Sequence, residues 1–504
     1  MAHFKTLIMR KVFTSILFLA MVSAAFAGTT PAKGMDIKLT VKGLEGTQII
    51  LANYYGDKQY VKDTFMFDKK GMVNFKADTM LPGGVYLAVF PAMGNRYFEF
   101  IISEAQFSLE TDTFNLIEHM KVSNSKENTL FYDDMKYLGS MKQKSDSVNK
   151  LYREAKDQPT KDKYMAELRN IDNQVKDKRS AIINGNPDMF YGKLIKSMKD
   201  IDVPDFPRDA AGKVTDSTWQ WRYYKWHYWD NVDLRDDRLL RCPVLHNKLK
   251  TFIFQTTVQH PDSIIVSGED LLAKTDKKGE MYRYILTYIF NEMANSKIMG
   301  YDGAYVHFGK EYFCKPDMTP WIDTAKRFKI CDRVRRLEPV LVGKKAQRLI
   351  LWTDSTETQW RSLQDIKAKY TVVAFWDPDC GHCKKEMPQL AEAYHNLKKM
   401  GISVEVYAPA IMDMDNYKDW VEFIQKNNMD WINVCDAKRH NNFRWEWDIQ
   451  STPQLYILDA EKTIVARRIA ADQIEDYIRH LEDPSYKPKN LMKVKDEDTQ
   501  EGTE

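Results

Sequence analysis

Cysteine is scarce in this chain, six in 504 residues, so disulfides are not what its mass is built on. Hydrophobic residues make up 43%, enough for the fold to rest on apolar cores. Cys242, Cys314, Cys331 and Cys435 are scattered and read as small buried core residues. The spacing leaves a Cys314–Cys331 bridge open without establishing it. An excess of one charge is also missing. The net charge is +3, and Lys5, Arg10 and Lys11 supply it at the extreme N-terminus; without them 71 basic residues face 71 acidic ones. A balanced chain carries no electrostatic footprint for nucleic acid or an anionic membrane. Long apolar runs are absent too. The longest, Val12 to Val22, falls short of the roughly 18–20 residues a bilayer requires, so no transmembrane segment is expected in the mature chain. His227, His246, His260 and His307 lack His, Cys or Glu partners at ligand spacing, so they read as structural and no metal is expected.

What is present begins with residues 1–27. A basic start, an apolar run and Ala25-Phe26-Ala27 before Gly28 have the three parts of a secretory signal peptide, and Met9 offers an alternative, shorter start. No cysteine follows the cleavage point, so lipid attachment there has no support. The expected location is the periplasm or cell envelope, where a dithiol can cycle between oxidation states.

At about 150 residues per domain, the length points to about three domains. From 35 to 115, short alternating runs such as Ile37–Val41, Gln48–Ala52 and Val85–Phe90 are punctuated by Gly43, Gly46, Gly56, Gly71 and Pro82-Gly83-Gly84. That is the pattern of an antiparallel β-sandwich, serving as a docking module or as a folded spacer. It resembles the N-terminal β-domains that precede thioredoxin-like modules in bacterial envelope proteins. Residues 120–336 read as a mainly α-helical domain. Apolar positions from Leu130 to Leu151 and from Met165 to Val175 recur at helical spacing around Pro159, which predicts a long polar helical hairpin ending at Gly185. The most aromatic stretch, Trp219 to Trp229, carries interleaved Arg and Lys that suit a stacking surface for sugars or single strands. The expectation is that these rings pack the core instead. The domain as a whole resembles a helical domain of unknown function found ahead of thioredoxin modules, which implies architecture and not activity.

Residues 339–483 read as an α/β module with a βαβ unit, an insertion and a ββα unit; residues 484–504 are charged, aperiodic and expected to be a disordered tail. Its centre is Val373 to Pro388, a buried strand leading through Cys380-Gly381-His382-Cys383 into an amphipathic helix. Unpaired backbone N–H groups and the positive end of the helix dipole favour a thiolate at Cys380. Two intervening residues let Cys383 close a disulfide onto Cys380 and release whatever the first thiolate has captured.

On Phe375-Trp376 before the pair, Cys383-Lys384-Lys385-Glu386-Met387-Pro388 after it, and Ser451-Thr452-Pro453 some seventy residues on, this module resembles the TlpA/ResA-like thioredoxin-fold thiol-disulfide oxidoreductases. The resemblance implies Cys380 as attacking thiolate and Cys383 as resolving thiol. It implies Pro453 as a cis-proline bordering, with Trp376, His382 and Thr452, the groove for an extended substrate, and Glu386 either as a proton carrier or as a helix-surface charge. No cofactor beyond the redox-active Cys380–Cys383 disulfide is implied, and the partners are protein dithiol or disulfide clients and an envelope redox partner.

The sequence departs from that pattern in two places. Ala374 stands where thioredoxins proper carry a buried Asp, which would leave more to Glu386. Asp379 replaces a common aromatic residue, and with Asp377 it would raise the Cys380 pKa against the lowering influence of His382 and the helix dipole. The balance is not readable from sequence, so neither is the direction of exchange. Two alternatives stay in view. A thiol peroxidase would need Pro and Thr or Ser where Val373 and Asp377 stand. A non-enzymatic envelope binding or scaffold protein would carry the redox module as a vestige.

Overall fold

In a computed structural model, residues 34–296 and 298–488 are described. The expected signal peptide and residues 489–504 of the expected tail lie outside them. Residues 484–488 depart from the expected disorder: the Tyr486 hydroxyl donates to Asp476 at 2.6 Å, and the Arg479 guanidinium lies 4.0 Å from its ring centre.

Alternation of apolar and polar side chains dictates the first layer pair. The strands are β1 (Met35–Lys42), β2 (Gln48–Tyr55), β3 (Lys58–Met66), β4 (Met72–Ala77), β5 (Gly84–Phe90), β6 (Arg96–Ile102), β7 (Gln106–Asp112) and β8 (Lys121–Ser123). They form two sheets of order β4-β1-β7-β8 and β3-β2-β5-β6, with Ile37, Leu39, Val41, Ile49, Leu51 and Phe100 in the core between them. Two features differ from expectation. β1 runs parallel to β7, and β8, beyond residue 115, pairs with β7; three residues are too few to show a period.

The chain then turns helical. α1 (Lys126–Glu154) starts at Ser125, whose hydroxyl accepts the Asn128 N–H, as an N-cap should. The Asn128 amide accepts from Ile101 N–H and donates to Ile101 C=O, each at 2.8 Å, fixing the helix base to β6. α2 (Gln158–Gly185) returns antiparallel, its contact with α1 built on Met141, Val148 and Ile171. Pro159 occupies the first turn of α2, where its missing N–H has no intrahelical partner to lose.

Beyond the arm come α3 (Phe190–Ser197), α4 (Trp219–His227), α5 (Leu245–Thr251), α6 (Pro261–Ala273), α7 (Glu280–Asn295), α8 (Tyr301–Phe308) and α9 (Thr324–Leu337). The aromatic stretch divides. Tyr228 and Trp229 are buried as expected, but α4 itself buries no residue, and Trp221 and Trp226 stand exposed, Trp226 at 74%. Cys314 and Cys331, for which the sequence favours buried core thiols and leaves a bridge open, are joined in a disulfide that ties the segment after α8 to α9. Cys242 and Cys435 are buried free thiols.

The C-terminal module contains β9 (Ile350–Trp352), β10 (Trp360–Ser362), β11 (Tyr370–Phe375), α10 (Gly381–Lys399), β12 (Val404–Ala410), α11 (Tyr417–Lys426), β13 (Ile432–Cys435), α12 (Phe443–Glu446), β14 (Gln454–Leu458), β15 (Ile464–Arg467) and α13 (Ile474–Glu482). The sheet order is β10-β9-β13-β12-β11-β14-β15, with β11 parallel to β12 and antiparallel to β14. β11 is buried along its whole length, which is why it reads as an unbroken apolar run. Tyr370, Val372, Ala374 and then Trp376 face a core shared with Met387, Leu390 and Leu397 of α10. Val373 and Phe375 face the opposite core, which continues through Trp447 and Leu337 into the helical domain. Each fully buried aliphatic or Phe side chain here contributes roughly 1.5–3 kcal/mol. One sheet thus welds the module to the domain before it. Among the described residues no helix is long and apolar enough to cross a membrane.

Candidate active site

β11 delivers the chain to the cysteine turn, and α10 receives it. Cys380 is the N-cap of α10, with extended backbone (φ −71°, ψ 123°), and Gly381 is the first helical residue. Trp376 bridges to Ala410 at the end of β12, and Asn416 donates to the Asp379 carboxylate, so the loop after β12 holds the turn from one side. The segment before β14 holds it from the other: the Cys380 thiol donates to the Thr452 carbonyl at 3.3 Å. The Thr452–Pro453 peptide is cis, as the resemblance implied.

The two sulfurs are both free thiols in unlike settings. Cys380 is half-buried. Burial pushes its thiol up, but the backbone N–H groups of Cys383 and His382, the Thr452 side chain and the Cys383 thiol outweigh it, so the pKa lies below the ordinary thiol value. The contest left open by the sequence thus resolves downward. The helix-terminal N–H groups lie against the sulfur, while the Asp377 carboxylate accepts the Asp379 N–H at 2.8 Å and Asp379 is held by Asn416. Cys383 is wholly buried. Burial pushes its thiol up to about 12, although the Asp377 N–H donates to its sulfur at 3.4 Å. One thiol is therefore more readily ionised than an ordinary cysteine, and the other holds its proton.

Of the residues named from sequence, the fold gathers Cys380, Cys383 and Thr452, with Pro453 beside Thr452, and leaves His382 exposed next to Cys380. Trp376 does not line a groove. It is 0% exposed, packed against Phe423, because the period of β11 turns its ring into the core with Ala374; it supports the turn from beneath. Glu386 is half-buried one turn beyond Cys383, and its carboxylate accepts the Ala471 N–H at 3.3 Å, tying α10 to the start of the closing helix. Asn416 and the Asp377 N–H were not singled out from sequence. Asn416 is 37 positions from its partner, and a backbone donor leaves no signature in residue type.

Similarity to known proteins follows the same division of the chain. Residues 342–467 match the AhpC/TSA family, residues 196–338 a domain of unknown function, DUF5106, and residues 35–131 another, DUF4369. The thiol-disulfide oxidoreductase ResA of Bacillus cereus is 26% identical over 148 residues, which are 29% of this chain and 80% of that protein; ResA of Bacillus anthracis matches to the same extent. Among solved structures, a domain of a possible thiol-disulfide isomerase from Cytophaga hutchinsonii is 40% identical, covering 29% of this chain and 95% of that one at a TM-score of 0.26. A thioredoxin-like protein from Bacteroides caccae is 18% identical, covering 56% and 99%, at a TM-score of 0.35. The C-terminal module is thus a thioredoxin-fold domain of the AhpC/TSA kind whose homologues include ResA thiol-disulfide oxidoreductases, and the likeness supports an oxidoreductase.

Proposed function

We propose that this protein is exported to the cell envelope and exchanges protein dithiols and disulfides through Cys380-Gly381-His382-Cys383. The observation that carries this reading is the asymmetry of the pair, a half-buried Cys380 with a lowered pKa beside a sealed Cys383 pushed up to about 12. In the reducing direction the Cys380 thiolate attacks one sulfur of a client disulfide, and the other client sulfur leaves as a thiolate and takes a proton. Cys383 then loses its proton and attacks Cys380, so a Cys380–Cys383 bond forms, the mixed disulfide breaks and the second client thiol departs. The client gains two electrons, which an envelope dithiol partner restores to the pair. Run backwards, the same steps oxidise a client dithiol.

Thr452 and Pro453 are proposed to border the groove where an extended client strand lies, with His382 on its rim, and Glu386 to carry protons to and from the pair. Cys383→Ser tests the sequence of events. It should accumulate a mixed disulfide on Cys380 that dithiothreitol releases, whereas a variant that resolves its clients as fast as the natural chain refutes the assignment. Rapid peroxide consumption by the purified protein would instead favour the peroxidase alternative.

A further inference from the structure

We propose that the helical domain positions Thr452 over the cysteine pair through a buried relay of Asp302, Arg467, Tyr456 and Gln454. Arg467, on β15, is 1% exposed, and a guanidinium so placed must be paired and hydrogen-bonded. Its Nη1 donates to Asp302 Oδ2 at 2.5 Å, a contact between residues 165 positions apart, and Asp302 belongs to α8 of the helical domain. Its Nη2 donates to the Tyr456 hydroxyl at 3.5 Å, the longest link, while the guanidinium lies 5.5 Å from the centre of the Tyr456 ring.

The Tyr456 hydroxyl is fully committed. It donates to Trp447 C=O at 2.7 Å and accepts from Gln454 Nε2 at 2.7 Å as well as from Arg467. A hydroxyl has one proton and two lone pairs, so this one cannot turn without breaking a bond. Gln454 Nε2 also donates to Asp448 C=O at 3.4 Å, which fixes the amide. Gln454 directly follows Thr452-Pro453, and the Thr452 carbonyl accepts from Cys380 at 3.3 Å, while the Thr452 side chain acts to lower the pKa of both thiols.

The helical domain adds further charge to the same junction. Arg336 of α9 comes within 3.9 Å of the Asp448 carboxylate, and the Arg333 guanidinium sits 5.1 Å from the Tyr305 ring centre. In a low-dielectric junction such linked bonds reinforce one another. None of these groups takes part in the exchange steps above, so their office is positioning. The inference rests on Cys380 as the attacking thiol.

The test uses the full chain with Asp302→Asn and Tyr456→Phe, singly and together, reading the alkylation rate of Cys380 by iodoacetamide from pH 5 to 9 alongside urea denaturation. If the relay holds Thr452 in place, each single variant raises the apparent pKa of Cys380 and slows alkylation below it by about threefold or more. The double variant is then no slower than the slower single one, because one broken link already opens the chain. The sign separates positioning from a direct field effect, since removing the Asp302 charge would by itself favour the thiolate and speed alkylation. Natural or faster rates in both single variants, whatever their stability, or effects that multiply in the double variant, overturn the proposal. If Asp302→Asn does not fold, Tyr456→Phe decides alone by the same criterion. The readout is thiol acidity and needs no client, so a protein that exchanged no client disulfide would refute the proposed function and leave this result intact.

Discussion

Two cysteine pairs in this molecule have opposite fates. Cys314 and Cys331, 17 positions apart, are joined between the end of α8 and α9 and close a loop. Cys380 and Cys383 are three positions apart and free, with a helix N-terminus, the Thr452 carbonyl and the Asp377 N–H directed at their sulfurs. The first pair staples two helical segments, whereas the second is held among groups that bear on thiol acidity. Proximity lets two sulfurs join; what surrounds them decides whether the bond is meant to open.

Several substitutions would break or sharpen that contrast. The largest effect is expected from Cys380→Ser, which removes the nucleophile and should lower disulfide-exchange rate by about a thousandfold or more; Cys314→Ser should change it by less than about twofold. A rate assay with an insulin-type disulfide substrate distinguishes the two. Next comes stability. Loss of the Cys314–Cys331 bridge should cost about 3 kcal/mol by the loop-closure relation for its 17-residue separation, measured by urea unfolding of the oxidised protein, with exchange retained by the folded fraction. Breaking the buried ion pair from one side, as in Arg467→Met, should cost about 3–5 kcal/mol, because Asp302 would remain buried and uncompensated.

A pH series separates the two thiols within the active pair. Cys380 has its pKa below the ordinary thiol value, so it should be alkylated at lower pH than an ordinary thiol, its reactivity falling as pH drops through that lowered value. Cys383, pushed up to about 12, should stay unmodified until the solution is strongly alkaline or the chain unfolds. Peptide mapping after timed alkylation reads both. The smallest effect is that of Glu386→Gln, expected to slow exchange by severalfold with the melting temperature changed little; a loss of stability with an unchanged rate would assign Glu386 to structural contacts such as that with Ala471.

The contrast also marks what a sequence makes legible. The period-two runs of the first domain and the strand-turn-helix around Cys380 are local, so their physics is written in neighbouring residues, and the structure places strands and helix there. Trp376 departs from the groove position that the resemblance implies, because strand alternation sends its ring inward with Ala374. The exposed Trp221 and Trp226 run against the usual tendency of aromatics to bury. The Cys314–Cys331 bridge is open to sequence as a possible pairing but is not established by it, since spacing alone does not bring two sulfurs together. Asp302 and Arg467 were invisible, since a buried ion pair across 165 positions leaves no periodicity and each residue alone looks like a surface charge.

Equilibrating the full chain in glutathione buffers of graded poise, and mapping both cysteine pairs at each point, tests the central claim most directly. The account predicts one reversible two-electron transition confined to Cys380 and Cys383, with Cys314–Cys331 joined throughout, because structural disulfides have reduction potentials below about −300 mV and resist reduction by glutathione. A Cys380–Cys383 pair that never forms its bond, or one that titrates together with Cys314 and Cys331, would contradict it.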